Sequence, residues 1–418
     1  MCLKKIMFLG GAAHQVPALQ YAKSQGYYTI LCDYLEDNMG KFFADKFYCV
    51  STRDREAILT IAEQVCIDGI IAYASDSALE TAAYVSEKMS LSSYTPEVVS
   101  ILSNKNLFRE FLKNNGFNYP KSKSFTSVRD AVRGLSGFKF PLIVKPADSA
   151  GSRGIASIDH ISELGPVFEK ALSESAKKIV IVEEFIETTT DFMVGGDIII
   201  INGKIEYFGM LNGHRDVKKN RCIPVGNSYP TFLDDEKSRQ VQLEIQKVID
   251  ILSIRNGAMN IDVIFGKNDQ PYIIEINARN GANMVSMLLK KATNVDLVGL
   301  SVEMALNNAP NAINQTVSDT CYATYYLRSY EKGVLERINF NSRITENIIN
   351  MQMYKSSGDE IEPFDGLDKI IGILLFKFEN QEELKYKMAH MNHYIQVQLV
   401  GQLQTRDGES SLCPLQVM

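Results

Sequence analysis

The stretch Val144-Lys145-Pro146-Ala147-Asp148-Ser149-Ala150-Gly151-Ser152-Arg153-Gly154 links one apolar segment, Phe138–Lys145, to another, Ile155–Ile158. Its small residues expose backbone N–H groups, and Lys145 and Arg153 supply positive charge, which is what a bound phosphate needs. The pattern GxxxxGK[ST] is absent and a strand rather than a helix follows, so this is not a Walker A loop. Taken alone, the segment reads equally as a phosphate cradle or as a flexible hairpin tip. Its strand–loop–strand form sets it apart from the sequence on its N-terminal side.

There the chain alternates between strand and helix. Lys4–Leu9 is a short apolar run ending at Gly10-Gly11. Val16–Gln25 reads as a helix with Pro17 in its first turn and Gly26 after it, and Tyr27–Cys32 as a second strand. Lys46–Val50, Arg55–Val65, Gly69–Ala72 and Ser77–Met89 continue as strand, helix, strand and helix. Such alternation implies an open parallel sheet covered on both faces. This N-terminal α/β domain is expected over residues 1–103. The opening segment is read as a strand and not a leader, because its apolar run is only Ile6–Leu9.

On the other side of the loop, Ser162–Ser175 reads as a helix and Lys178–Ile186 as a strand. Long antiparallel strands follow from Met193, with a turn at Asn202-Gly203. Asp234–Ser253 is an amphipathic helix whose apolar positions over Leu243–Leu252 suit core packing. Ala258–Phe265 and Tyr272–Ile276 form a hairpin. With the helix expected at Asn104–Asn115, this gives a central domain over 104–310, in lobes of about 104–186 and 187–310. A small α+β domain over 311–418 ends in a loose Arg406–Met418 segment.

The hairpin carries chemistry. Residues two apart on a strand share a face, so Glu275, Asn277 and Arg279 project together, and pairing brings Asp262 alongside. Two carboxylates and a carboxamide oxygen suit Mg²⁺, which would take nucleotide phosphates and water as its remaining ligands. Arg279 offers a planar cation to a phosphate on that face. The alternative is a solvated polar face, which the flanking Ile261, Val263, Ile273, Ile274 and Ile276 disfavour. A third feature is Ile179–Ile186, where the acids Glu183-Glu184 end an apolar strand. Its backbone could meet an adenine edge while apolar residues sandwich the ring.

In this order and spacing, Asn104-Lys105, Val144-Lys145-Pro146 with its glycine loop, Glu183-Glu184-Phe185-Ile186, Asp262 and Glu275-Ile276-Asn277-Ala278-Arg279 resemble the ATP-grasp ligases. The resemblance covers about residues 1–310 and extends loosely into the tail. It implies an N-terminal α/β domain, a two-lobed ATP-grasp domain with antiparallel sheets, and ATP with Mg²⁺ (Mn²⁺ as the alternative). Lys105 and Lys145 would contact ATP phosphates, and Ser149, Gly151, Ser152, Arg153 and Gly154 would close over them. Glu184 and Ile186 would meet adenine through backbone groups, with Glu183 and Phe185 nearby. Asp191 would bind ribose, at a position where many relatives carry Glu or His. Asp262, Glu275 and Asn277 would hold one or two Mg²⁺ ions, and Arg279 would stabilise the transferred phosphoryl group.

The acceptor is less defined. His14, Asp76 and Ser77 stand at C-terminal ends of expected parallel strands, where open α/β sheets place ligands. The stretch Asn212–Arg221 is cationic, and His214 and Arg215 in it could bind a substrate carboxylate and cover the reaction, with Arg215 the catalytic candidate; a solvated surface loop is the alternative for each residue except Arg215. Arg328 is read as either a substrate contact or a structural residue. His390 and His393 lack acidic or cysteine neighbours and are read as exposed helix residues, not metal ligands.

Composition narrows the class. The 418 residues carry 44 basic and 50 acidic side chains, a net charge of −6, which argues against a dedicated nucleic-acid binder. No apolar run is long enough for a membrane span. The 7 cysteines are odd in number and show no CxxC spacing, so reduced thiols and a cytoplasmic location are expected, with Cys32 and Cys49 in the core. The activity expected is ATP-dependent ligation of a small-molecule carboxylate to an amine through an acyl-phosphate, with a homodimer allowed. Bicarbonate activation, as in carbamoyl-phosphate synthetase or biotin carboxylase, and a non-catalytic ATP-binding regulator are the alternatives. A dinucleotide-dependent oxidoreductase rests only on the N-terminal unit, whose Gly10–Gln15 lacks the full GxGxxG.

Overall fold

The computed structural model describes residues 3–190, 192–217, 219–316, 318–401 and 412–414. They form two compact units. The first comprises Met1–Ser124, Glu183–Met210 and Phe232–Thr316; the second comprises Phe125–Val182, Leu211–Thr231 and Val317–Met418.

The first unit opens with a parallel sheet in the order Lys46–Cys49, Tyr28–Asp33, Lys5–Leu9, Gly69–Ile71. In its strand Lys5–Leu9, residues Ile6–Leu9 are all apolar and buried because both faces are covered. Ile6 and Phe8 pack with Ala18, Leu19 and Ala22 of the helix Val16–Ser24. Met7 and Leu9 pack with Ile58 and Ala62 of the helix Arg55–Val65. The strand Lys46–Cys49 lies at the sheet edge, so Cys49 is exposed while Cys32, one strand inward, is buried. This corrects the core position expected for Cys49. The described cysteines Cys32, Cys49, Cys66, Cys222 and Cys321 are all free thiols.

The same unit holds antiparallel strands in the order Pro271–Asn277, Gly257–Phe265, Met193–Ile201, with the first part of Lys204–Asp216 next in line. The helix Asp235–Ile251 covers them with Val241, Ile245, Val248 and Ile249. It starts where Asp234 accepts a hydrogen bond from the Lys237 amide, an N-cap that satisfies one orphan donor.

In the second unit, Val180–Glu184, Leu142–Pro146 and Ala156–Ile158 lie side by side in that order. Leu142, Val144, Val180 and Val182 form a core with Ala131, Phe168 and Ala171 from the helices Val128–Gly134 and Leu164–Glu174. A second set runs Asn220–Tyr229, Cys321–Leu327, Gly372–Phe378, Ile348–Met353. Gly333–Asn341 pairs with Ile395–Leu399 and with Glu360–Ile361. The segment Asn212–Arg221, expected as a cationic loop, is instead mostly strand. Lys204–Asp216 continues to Asp216 and pairs antiparallel with Asn220–Tyr229. Its charges and Pro224 hide the alternation that would have marked it. Of the C-terminal segment, Leu412–Pro414 pairs with Gly333–Asn341, and most of the rest lies outside the described residues.

One buried carboxylate ties the first unit together. Asp197 is fully buried and accepts from Asn260 Nδ2 at 2.9 Å, Gly281 N at 2.8 Å, Ser286 Oγ at 3.3 Å and Asn280 Nδ2 at 3.4 Å. Burial pushes its carboxyl up, and these donors work against that. Replacing Asp197 with Ala strands several buried donors, each costing about 1–3 kcal/mol. The Asp197→Ala protein should therefore lose on the order of 3 kcal/mol in urea denaturation, and an unchanged midpoint would remove this role.

Candidate active site

In the first unit, the hairpin register sets the donor set. Asp262 is the direct cross-strand partner of Glu275, and Asn260 of Asn277, so all four share one face. Glu275, Asn277 and Arg279 are partly exposed while the alternate Ile276, Ala278 and Asn280 are buried. Asp262 also faces Gly195 on its other neighbour, where a Cβ would come within 2.5 Å of its Oδ1. The glycine leaves room for the carboxylate to lie on the face. Two carboxylates and a carboxamide oxygen are hard donors that fit Mg²⁺ with phosphate completing its shell. Among the described residues no cluster of three or more His, Cys, Asp or Glu has metal-holding geometry, as expected when only two acids contribute.

Lys105 is the first residue of the helix Lys105–Asn114, whose N-cap Asn104 accepts from the amides of Asn106 and Leu107. The cap fixes Lys105 beside the hairpin, with its Nζ 3.5 Å from Glu275. One turn on, Arg109 donates to Glu183 at 2.7 Å and to the Ile274 carbonyl at 2.9 Å, with both charged side chains 5% exposed or less. The side chain of Glu183, expected near adenine, is thus committed to a buried ion pair with the helix, while Arg109 ties that helix to the hairpin through the Ile274 carbonyl. The Glu184 amide donates to the Lys121 carbonyl at 2.9 Å, so an adenine contact there would use its own carbonyl oxygen. Phe185 and Ile186 follow, partly buried. Asp191 lies outside the described residues.

Arg279 is engaged by Asp76, one of the expected substrate residues. Its Nε and Nη2 donate to the two carboxylate oxygens at 2.7 and 2.8 Å, and Nη1 donates to the Asn280 carbonyl at 3.0 Å. Burial alone would raise the Asp76 carboxyl, but Arg279 holds it below the usual carboxylate range. His14 is close enough for both charges to act on it. Burial holds its imidazole below the ordinary value, opposed by a hydrogen bond with the Ala74 backbone. The structure thus gathers Asp76, Arg279, Glu275 and Lys105 into one charged group, with the His14 imidazole beside it. Ser77 is exposed beside it, 3.5 Å from Ser75. A cavity of about 80 Å³ lies next to Arg279, bordered by Ala72, Tyr73, Tyr94, Ala258 and Asn280.

The glycine turn after the first strand is filled by its own chain. The Gly11 amide donates to Asp33 at 2.7 Å, the Gly40 amide donates to the Gly11 carbonyl at 2.7 Å, and a Cβ on Gly11 would lie 2.0 Å from Asn38 Oδ1. A dinucleotide pyrophosphate needs this turn open, so the oxidoreductase reading fails on packing.

In the second unit, Lys145 is buried near the end of Leu142–Pro146, and the loop after it has positive φ at Gly151, Ser152 and Gly154. Asp148 anchors the base of the loop, accepting from Ser175 Oγ at 2.6 Å and the Lys177 amide at 2.8 Å. The Gly151 carbonyl accepts from the Leu367 amide at 3.0 Å, and Arg153 Nε donates to the Ala150 carbonyl at 3.2 Å. Arg215 sits opposite Pro224 at a register shift in the hairpin, a bulge of the kind that re-aims a side chain. His214 Nε2 lies 2.8 Å from Ser228 Oγ, to which Asn212 also donates, and burial pushes its pKa down to about 4. It is therefore a neutral hydrogen-bonding group at physiological pH. Arg328 packs against the rings of Tyr325, Tyr330 and Phe364 and donates to the Tyr326 carbonyl, which favours its structural reading. His390 and His393 lie at the ends of short helices, with His393 exposed.

Sequence reasoning missed three parts of this arrangement: the buried Asp197, the Arg109–Glu183 pair and the Asp76–Arg279 pair. Only the position of Asp197 inside an otherwise apolar strand carried a local signal.

No helix of the described residues is long and apolar enough to cross a membrane. Residues 102–283 match the family model for the ATP-grasp domain. The carbamoyl phosphate synthase large chain of Clostridium beijerinckii is 24% identical over 311 residues, covering 72% of this chain and 28% of that one. This chain therefore spans 28% of the length of that relative. The structure of an L-amino acid ligase from Bacillus licheniformis superimposes with a TM-score of 0.80 at 19% identity, covering 95% of this chain and 98% of that one. The biotin carboxylase domain of 2-oxoglutarate carboxylase from Hydrogenobacter thermophilus gives 0.72 at 17% identity, covering 96% and 91%. These likenesses establish a shared fold, and the match to the ATP-grasp domain lies over residues 102–283.

Proposed function

We propose that the protein is an ATP-dependent ligase that activates a small-molecule carboxylate as an acyl-phosphate and joins it to an amine, releasing ADP and phosphate. The observation that carries the reading is the Asp262–Glu275 cross-strand pair with Asn277 on the same face and Lys105 and Arg279 beside it. In the proposal Asp262, Glu275 and Asn277 hold Mg²⁺, and Mn²⁺ would suit the same donors. The ion would offset charge on the nucleotide phosphates. Lys105, Lys145 and the loop residues Ser149, Gly151, Ser152, Arg153 and Gly154 hold phosphate oxygens. The Glu184 carbonyl and Ile186 amide read the adenine edge beside Phe185, and Asp191 takes the ribose.

The carboxylate oxygen attacks the γ-phosphorus as the bond to ADP breaks. The amine then attacks the acyl carbon, and phosphate leaves. Positioning and charge neutralisation carry most of such catalysis. Arg279 faces the phosphoryl group, and Arg215 and the neutral His214 bind the acceptor. His14 and Ser77 are further candidates for contacting the acceptor, and the cavity beside Arg279 gives space for a small substituent. A cytoplasmic location suits the free thiols, and a homodimer is compatible with the reading. The second reading, bicarbonate activation, draws on the biotin carboxylase domain, whose structure holds MgADP and bicarbonate. A non-catalytic regulator is disfavoured because Asp262, Glu275, Asn277, Lys105 and Lys145 are all present.

A screen of paired carboxylates and amines, read by ADP and phosphate release and by product mass, separates ligation from bicarbonate use. Lys145→Ala should weaken ATP binding about 10- to 100-fold, the worth of one charge-assisted hydrogen bond. Calorimetry on the folded variant showing unchanged affinity would exclude that contact. Glu275→Gln keeps the shape and removes an anionic ligand, so turnover should fall about 100- to 1000-fold with a higher Mg²⁺ requirement. Wild-type turnover and Mg²⁺ dependence in that variant would remove the metal from this strand.

A further inference from the structure

We propose that Asp76 is a positioning residue for Arg279. It holds the guanidinium by one edge, so that the other edge faces the reacting oxygens and Glu275 stays available as a metal ligand. The inference rests on the ligase reading for its chemistry but on geometry for its content.

A guanidinium has five N–H donors in a rigid fork. Asp76 takes Nε and one hydrogen of Nη2, and the Asn280 carbonyl takes one hydrogen of Nη1. One N–H remains on each terminal nitrogen, enough to meet two oxygens of a carboxylate or phosphoryl group. The pair joins residues 203 apart in sequence, with side chains 12% and 27% exposed. A bidentate contact at that burial has little freedom to rotate. The Asp76 end is also fixed, since it opens the short 3-10 turn Asp76–Ala78 that leads into the helix Leu79–Met89.

The alternative partner for Arg279 is Glu275, whose charge acts on it next after that of Asp76. Glu275 already has Lys105 at 3.5 Å. Without Asp76, Arg279 would turn toward Glu275 and compete with a divalent cation for the same carboxylate. Asp76 therefore serves two ends by one contact: it aims Arg279 and spares Glu275.

The test uses the full chain with Asp76→Asn, Asp76→Glu and Arg279→Lys. Crystal structures of wild type and Asp76→Asn should show the Arg279 guanidinium displaced in the variant. An unmoved guanidinium would overturn the proposal whatever the enzyme does with ATP. With MgATP as probe, Asp76→Asn should lower ADP release about 10- to 100-fold, the usual cost of losing a supporting contact. It should also raise the Mg²⁺ concentration for half-maximal rate, while the KM for ATP changes little. Asp76→Glu should recover part of the loss, and Asp76→Ser replaces Asp76→Asn in both arms if the latter does not fold. On an Arg279→Lys background the Asp76 substitution should add almost nothing, whereas independent multiplicative losses would refute action through Arg279. A wild-type protein that releases no ADP with any acceptor would defeat the ligase reading and leave the crystallographic arm standing.

Discussion

The carboxylate of Asp197 is the contact on which the arrangement of the first unit depends. It lies inside an apolar strand, fully buried, and gathers donors from three places: Asn260 on the neighbouring strand, Asn280-Gly281 just after the hairpin, and Ser286 in the helix Val285–Thr293. Tyr73, at the end of the parallel sheet, donates to Ser286 at 3.1 Å, and Ser301 of the helix Leu297–Ala305 donates to Asn280. A carboxylate is an acceptor only, so it can organise several donors without needing one of its own satisfied. The chain leaving the hairpin is thereby fixed at Asn280, and the backbone that carries Arg279 is fixed with it.

Charge in the first unit is arranged in pairs graded by burial. Arg109 and Glu183 are nearly inaccessible, Arg279 and Asp76 are more open, and Lys105 and Glu275 more open still on the acid side. A deeply buried pair is costly to break, since one partner is left charged without compensation. Pairs nearer solvent exchange partners at lower cost. The gradient lets Arg109 hold its helix to Glu183 and to the Ile274 carbonyl of the hairpin while the more open Lys105–Glu275 pair is the easier one to part.

Much of this was legible in the sequence. The period-2 rule placed Glu275, Asn277 and Arg279 on one face, and the short turn of the hairpin brought Asp262 opposite Glu275 as the register confirms. The continuous apolar run Ile6–Leu9 marked a strand covered on both sides. The strand Asn220–Tyr229 was not legible, because Arg221, Pro224 and Gly226 break its pattern while Ser228 is polar and buried. Cys49 was misplaced because apolar character along a strand does not reveal which strand is at the edge. The Asp76–Arg279 and Arg109–Glu183 pairs join residues 203 and 74 apart, and no local pattern encodes such partners.

The central claim is that ATP activates a carboxylate by direct phosphoryl transfer. The most direct measurement is transfer of ¹⁸O from a carboxylate substrate, labelled in both oxygens and taken from the acceptor screen, into inorganic phosphate during turnover with the amine. Attack of the carboxylate on the γ-phosphorus followed by displacement at carbon leaves one substrate oxygen on the phosphate. The account predicts one ¹⁸O in each phosphate released by mass spectrometry. Phosphate carrying only ATP and water oxygens, formed alongside the ligated product, would contradict it.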